Sequence, residues 1–322
     1  MSKDEEDVLI RDFKKSDLDN LLEVAKKSFA KEFEISGFDP DHIREMVNKM
    51  FSFWGKIILG FLKLMGKEPF KLFVAEADGK LVGTTMVNIK GKIGYIVAVM
   101  VHPIYRRKGI ATKLMKNALN YTQKKKLSRA ILDVVSTNIP AKGLYRKLGF
   151  EKFESVVHLV ANINSLQRPQ NVEDVQIRNF EKKDMEAVYD LIKRSEDPTH
   201  LKVFDFKKKD LEFPLIKRIT RFTTDKKTVA AKNDRIVGYT EASYTTAEEA
   251  GRIRNIQLHP NMRSKGIEDI LIYAGVDHIK NGGASRIIAT ALSTRQELVE
   301  KMKQLGFKKS LEMEGMVLEF KD

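Results

Sequence analysis

Hydrophobic positions change their period repeatedly along the chain, and each change predicts a new element. Leu9-Ile10-Arg11 reads as a short strand, and Leu18, Leu21, Leu22 and Ala25 recur at helical spacing, so a first helix is expected from Asp17 to Phe29. Asp39-Pro40 supplies an N-cap and a first-turn proline for a second helix. Leu72 to Glu76 and Leu81 to Ile89 alternate as strands about Asp78-Gly79, a strong hairpin signal. The apolar strand Val97 to Val101 then passes through a basic turn into a helix expected from Gly109 to Lys124, followed by the strand-like run Ala130 to Val135. The second half repeats the order with Thr228 to Lys232, the turn Asn233-Asp234, and Ile236 to Tyr244. Strands and helices alternate in this way in α/β proteins.

The repetition extends to individual residues. Ile10-Arg11-Asp12-Phe13 with Asp17-Leu18 returns as Ile177-Arg178-Asn179-Phe180 with Asp184-Met185, and Leu81-Val82-Gly83 returns as Ile236-Val237-Gly238. His102-Pro103 with Arg106 and Gly109 returns as His259-Pro260 with Arg263 and Gly266, and Leu148-Gly149-Phe150 as Leu305-Gly306-Phe307. The period is too long for a solenoid and reads as a duplicated domain. A chain of 322 residues fits two domains at about 100–200 residues each. The polar segment Asn162 to Asp174, with Arg168-Pro169-Gln170, places the junction so that residues 1–165 and 166–322 form the two domains.

One segment breaks the pattern. Met50 to Met65 is apolar along Met50, Trp54, Ile57, Ile58, Phe61 and Met65, with Lys56 and Lys63 on the other side. Its sixteen residues are too few to span a bilayer. A helix packed on a core, a wall of a substrate pocket and a partner or membrane-interface surface all fit such a stripe.

Composition narrows the chemistry. The chain has no cysteine, which excludes disulfides, thiolate zinc sites and an acetyl-cysteine intermediate. The start, Met1-Ser2-Lys3-Asp4-Glu5-Glu6-Asp7, is charged and lacks the apolar core of a secretory signal, so a cytoplasmic location is expected. A net charge of +14 and a pI near 9.6 suit an anionic partner. The same charge admits nucleic acid, but aromatic stacking motifs and recognition-helix signals are not apparent.

The most specific chemistry lies in Val97 to Met115, VAVMVHPIYRRKGIATKLM. Backbone N–H groups opening a helix have no intrahelical partners and carry the positive end of its dipole, so they bind anions. Gly109 and Ala111 are small enough to let phosphates come close, and Arg106, Arg107 and Lys108 add charge. A second block, Asn138, Ala141 and Leu144-Tyr145-Arg146-Lys147-Leu148-Gly149-Phe150, follows about thirty residues on. The two blocks together resemble the GNAT superfamily of N-acetyltransferases. Arg106-x-x-Gly109-x-Ala111 matches its acetyl-CoA pyrophosphate loop, and Asn138 to Phe150 its second conserved block, in order and spacing.

The resemblance implies two GNAT-type domains, each a mixed, largely antiparallel central sheet flanked by helices. It implies acetyl-CoA as co-substrate, no metal, and an amine-bearing acceptor; family acceptors range from small amines to protein N-termini and lysines. Arg106, Arg107, Lys108, Gly109, Ile110, Ala111 and Thr112 would hold the pyrophosphate, while Val99, Met100 and Val101 on the bulged strand would pair with the pantetheine arm and meet the oxyanion. Tyr145 would be the general acid at the sulfur, and Asn138 would hydrogen-bond the pantetheine or a water. The Met50 to Met65 segment would line the acceptor pocket, as the first two helices do in the family. No base is evident; Glu32, Glu34, Asp133 and His158 are the carboxylates and imidazole to consider.

In the second half Glu268 replaces Ala111, Met302 replaces Tyr145 and Arg295 replaces Asn138. A carboxylate where a pyrophosphate must approach is repulsive by roughly 1 kcal/mol or more, and methionine cannot donate a proton. The second domain is therefore expected to be degenerate, with one acetyl-CoA bound per chain. The competing readings are a non-catalytic CoA-binding regulator and an acetyltransferase acting on a nucleic-acid-associated substrate.

Overall fold

A computed structural model describes residues 8–28, 44, 48, 52, 70–170, 172–212, 224–245, 249–263 and 266–320. The expected second helix near Asp39-Pro40, the amphipathic segment Met50 to Met65, and Glu32 and Glu34 lie outside the described residues. The fold is mixed α/β, and the chain divides into two compact units. Among the described residues, unit 1 takes those up to Lys152 and again from Gly315, and unit 2 takes Phe153 to Glu314. Each unit thus contains a strand segment contributed by the other half of the sequence.

Unit 1 contains β1 (Leu9–Asp12), α1 (Leu18–Ser28), β2 (Phe70–Ala77), β3 (Lys80–Lys90), β4 (Ile93–Val101), α2 (Ile110–Lys124), β5 (Arg129–Val135) and α3 (Ile139–Lys147). Its strands lie in the order β1-β2-β3-β4-β5. All pairs are antiparallel except β4–β5, which is parallel. Asp78 and Gly79 both take positive φ and turn the chain from β2 into β3, as the Asp-Gly pair requires.

Two apolar layers cover the sheet. Leu114, Met115 and Ala118 of α2 and Tyr145 of α3 pack with Ile96, Ala130, Leu132 and Val134 on one face. Leu21, Val24 and Ala25 of α1 pack with Val74, Leu81 and Met100 on the other. Met316, Leu318 and Phe320 from the end of the chain join the first layer, and the Phe320 N–H donates to Ser128 O at 2.9 Å.

Unit 2 repeats the plan with β7 (Gln176–Asn179), α4 (Met185–Ser195), a short α5 (Pro198–Val203), β8 (Thr224–Lys232), β9 (Arg235–Tyr244), β10 (Ala250–Leu258), α6 (Ile267–Asn281), β11 (Arg286–Leu292) and α7 (Gln296–Gln304). β6 (Glu151–Asn162) belongs to this unit from Phe153 onward and pairs antiparallel with β11, from Asn162 against Arg286 to Val156 against Leu292. The last strand, β12 (Lys308–Glu319), belongs to unit 2 up to Glu314 and to unit 1 beyond it.

The duplicated Ile-Arg-x-Phe signature has a structural cause. Arg11 donates to both oxygens of Asp17 at 2.7 and 2.8 Å and to Glu76 at 2.6 Å, tying β1 to the entry of α1. Arg178 holds Asp184 in the same fork at 2.6 and 2.7 Å. Each aspartate also accepts a backbone N–H three residues back, from Lys14 and Glu181. Burial raises the pKa of Asp17, but the Arg11 and Lys14 bonds outweigh it and hold the carboxyl below its usual range. Such bidentate, charge-assisted pairs fix geometry as well as energy.

Candidate functional site

The site in unit 1 starts from an irregularity in β4. Thr84 pairs with Met100 and Met86 with Val97, so Thr85 alone faces both Ala98 and Val99. This is a β-bulge, and Ala98 takes the left-handed region at φ 53° to form it. The bulge falls at Ala98 and Val99, immediately before Met100 and Val101.

β4 pairs with β5 only from Ile93 to Tyr95, against Arg129 to Ile131. Both strands continue beyond that point, β4 to Val101 and β5 to Val135, so the sheet parts beside the bulge. An extended ligand could enter this gap and pair with the backbone of β4 beyond Tyr95.

At the mouth of the gap lies the loop into α2. Arg107 and Gly109 both take positive φ, 68° and 74°, and Gly109 is the N-cap of α2. A Cβ on Gly109 would meet nothing within 4 Å, so backbone conformation, rather than space, favours glycine there. Lys113 N–H finds Gly109 O at 3.0 Å, which leaves the N–H groups of Ile110, Ala111 and Thr112 without intrahelical acceptors. Arg107, Lys108 and Gly109 are exposed, and Arg106, also exposed, bends back so that its Nε donates to Val101 O at 3.1 Å. Lys108 stands over the Tyr105 ring at 5.5 Å.

Tyr145 is buried on α3 in the apolar layer that also contains Val99, Val101, Ile110 and Ala111. Its ring meets Phe150 edge-on, with centroids 6.1 Å apart. Burial pushes its phenol up to about 12, so it keeps its proton at neutral pH. Met100, one residue past the bulge, points to the opposite face and packs with α1. Asn138 is the N-cap of α3, where its Oδ1 accepts the Ala141 N–H at 3.2 Å. That bond accounts for its spacing to Tyr145 without any ligand.

Of the carboxylates weighed as base, Asp133 is described and belongs to this unit. It lies on β5 between Leu132 and Val134, both in the α2 layer, so alternation turns it to the other face. There it accepts the hydroxyl of Tyr95. Tyr95 was not singled out by motif or spacing; the parallel register of Tyr95 with Ile131 is what brings it beside Asp133. His158 lies on β6 in unit 2, with its pKa lowered to about 4 by burial and by Arg252.

Unit 2 keeps the scaffold in detail. Arg254 pairs with Glu241 and Gln257 with Tyr239, a bulge at Asn255 and Ile256, with Asn255 at φ 52°. β10 and β11 pair from Ala250 to Ile253 and then part. Gly266 caps α6 at φ 75°, and Met302 occupies on α7 the place of Tyr145 on α3, fully buried. Glu268 stands one residue inside the helix start, its pKa raised by burial and by Asp269. Among the described residues no group of His, Asp and Glu is placed to hold a metal ion, and no helix is long and apolar enough to cross a membrane.

A bulged strand parted from its parallel neighbour, beside a helix with a glycine N-cap, built twice, defines a tandem acyltransferase fold. The chain belongs to the acetyltransferase (GNAT) family, whose model matches residues 27–150 and again 185–311. It is 32% identical over 154 residues to an uncharacterized N-acetyltransferase of Methanocaldococcus jannaschii, covering 46% of this chain and 62% of that protein. It is 30% identical over 115 residues to an N-alpha-acetyltransferase of Sulfurisphaera tokodaii, covering 32% of this chain and 69% of the relative. Among solved structures, a tandem GNAT protein from the clavulanic acid biosynthesis pathway superposes with a TM-score of 0.67 over 98% of this chain and 100% of its own, at 13% identity.

Proposed function

We propose that unit 1 is an acetyl-CoA-dependent N-acetyltransferase that moves the acetyl group directly to an amine. The observation that carries this reading is the coincidence, in one unit, of the β4 bulge, the parting of β4 from β5 and the Gly109-capped start of α2. The cofactor's diphosphate would be held by the N–H groups of Ile110, Ala111 and Thr112, with Arg106, Arg107 and Lys108 supplying charge. Its pantetheine arm would lie along Val99 to Val101, and Asn138 would flank it.

In the reaction the neutral amine nitrogen attacks the thioester carbon. The C–N bond forms, the C–S bond breaks, and the sulfur leaves as thiolate. Bulge N–H groups meet the oxyanion. Tyr145 reaches the sulfur from the α3 face and gives its phenolic proton to the thiolate as it forms; the same low-dielectric surroundings that raise the phenol also raise the thiol. Asp133, oriented by Tyr95, takes the proton lost by the amine from the opposite face. The acid and the base then stand on the two sides of the gap that holds the thioester.

Thiol release from acetyl-CoA across a panel of amines tests the reading, and the name of the Sulfurisphaera relative recommends including N-terminal peptides. Tyr145→Phe should lower kcat by at least about 100-fold with acetyl-CoA affinity nearly kept. Cofactor binding without thiol release for any amine would favour a regulatory CoA-binding protein. Binding of RNA that weakens steeply with salt would favour a nucleic-acid-associated substrate.

A further inference from the structure

We propose that unit 2 carries its own occupant in the cleft that answers to the cofactor cleft of unit 1: the Arg295 guanidinium closes the gap between β10 and β11, the Glu268 carboxylate stands at the start of α6, and these two side chains hold the chain to one cofactor. The inference rests on the reading of unit 1 as the acetyl-CoA site.

Arg295 and Asn138 hold the same place. Each is the N-cap of the helix that follows the parted parallel strand, with φ, ψ of −89°, 58° for Arg295 and −82°, 72° for Asn138. The outcome differs because the side chains differ. Asn138 turns back onto its own helix and leaves the gap alone. Arg295 is long enough to cross: its Nη1 donates to Ile256 O at 2.6 Å and to Gln257 Oε1 at 3.4 Å. Ile256 is the second bulge residue of β10, the counterpart of Val99. The backbone acceptor that an added strand would use in unit 1 is therefore already taken in unit 2.

The surrounding polar groups close on one another. Gln257, at the position of Met100 and 1% exposed, also accepts the Ser195 hydroxyl at 2.9 Å, and its amide donates to Glu196. Burial opposes the Arg295 charge, while Glu196 and Glu268 support it. These contacts tie Arg295, Gln257, Ser195 and Glu196 into one buried polar network beside the bulge of β10. At the helix start Glu268 takes the position of Ala111, and its Oε2 is buried without a hydrogen-bond partner, so a carboxylate rather than a methyl group faces that end of the cleft. An incoming diphosphate would meet a carboxylate.

Coenzyme A titrated calorimetrically into the full chain reads the number of sites. The wild-type count tests the reading of unit 1; the change from wild type tests this inference. One site is expected in the wild type, one in Glu268→Ala, where Arg295 still fills the gap, and two in the double variant Arg295→Asn with Glu268→Ala. Two sites in the wild type, a folded double variant with no site gained, or a second site in Glu268→Ala alone would each overturn it. If the double variant fails to fold, Arg295→Gln with Glu268→Gln is titrated in its place under the same criterion: a second site supports the inference and a folded variant with one site overturns it.

Discussion

Replacing Met316 by alanine should damage unit 1, although Met316 is separated from Tyr145 by most of the second half of the sequence. Met316 is fully buried, in the same apolar layer as Leu132, Tyr145 and Phe150. Truncation to alanine removes three heavy atoms; at about 0.8 kcal/mol for each buried methylene-sized group the transfer loss is roughly 2.4 kcal/mol. The cavity adds to this, which places the total near 3 kcal/mol, within the roughly 2–5 kcal/mol range of Met→Ala in cores. A domain has about 5–15 kcal/mol in all, so a large share of unit 1's stability would go, and its Tm should fall by roughly 10 °C. Hydrogen–deuterium exchange locates the damage: peptides covering residues 130–150 should exchange faster, while those covering 286–304 should not. Met302→Ala, a fully buried methionine of the unit 2 core, should give the reverse pattern. Acceleration at 286–304 alone in Met316→Ala would refute the assignment of the last strand segment to unit 1.

Two further outcomes are expected. His158 is held neutral when folded, its pKa lowered from 6.5 to about 4 by burial and Arg252. The unfolded chain therefore binds the extra proton first as pH falls, so stability is full above about 6.5 and declines by up to about 3 kcal/mol toward pH 4; urea titrations of His158→Asn should show a flatter pH profile, and an unchanged profile would remove the cause. Gly109→Ala places a Cβ at φ 74° with no steric clash, so the cost should be conformational, about 1–2 kcal/mol, and should appear as weaker coenzyme A binding in calorimetry. Unchanged affinity would separate the α2 cap from the cofactor.

The sequence pattern anticipates most of the local structure and little of the long-range pairing. The hairpin at Asp78-Gly79 can be read directly, because its turn needs a positive φ that glycine and aspartate tolerate, whereas Gly109, expected for its small size, owes its place to a φ of 74° and not to crowding. The duplicated Arg11 and Asp17 signature pointed to a repeat for the same local reason: a guanidinium six residues from a carboxylate can close the turn between them. The division of β6 and β12 between units was not readable, since alternation marks a segment as a strand without naming its neighbour. The Tyr95 and Asp133 contact depends on the β4–β5 register, and the reach of Arg295 depends on where β10 and β11 part. The loss of the Asn138 amide in unit 2 was visible in sequence, but the side chain that replaces it fills the space rather than merely lacking a function.

The two bulges differ in the residue that takes the left-handed backbone. A left-handed backbone disfavours alanine by about 1–2 kcal/mol, whereas asparagine tolerates it through local hydrogen bonding. Unit 1 keeps Ala98 at that angle, and unit 2 has Asn255. Unit 1 thus stores at its bulge a conformational tension of that size, which the asparagine of unit 2 largely relieves.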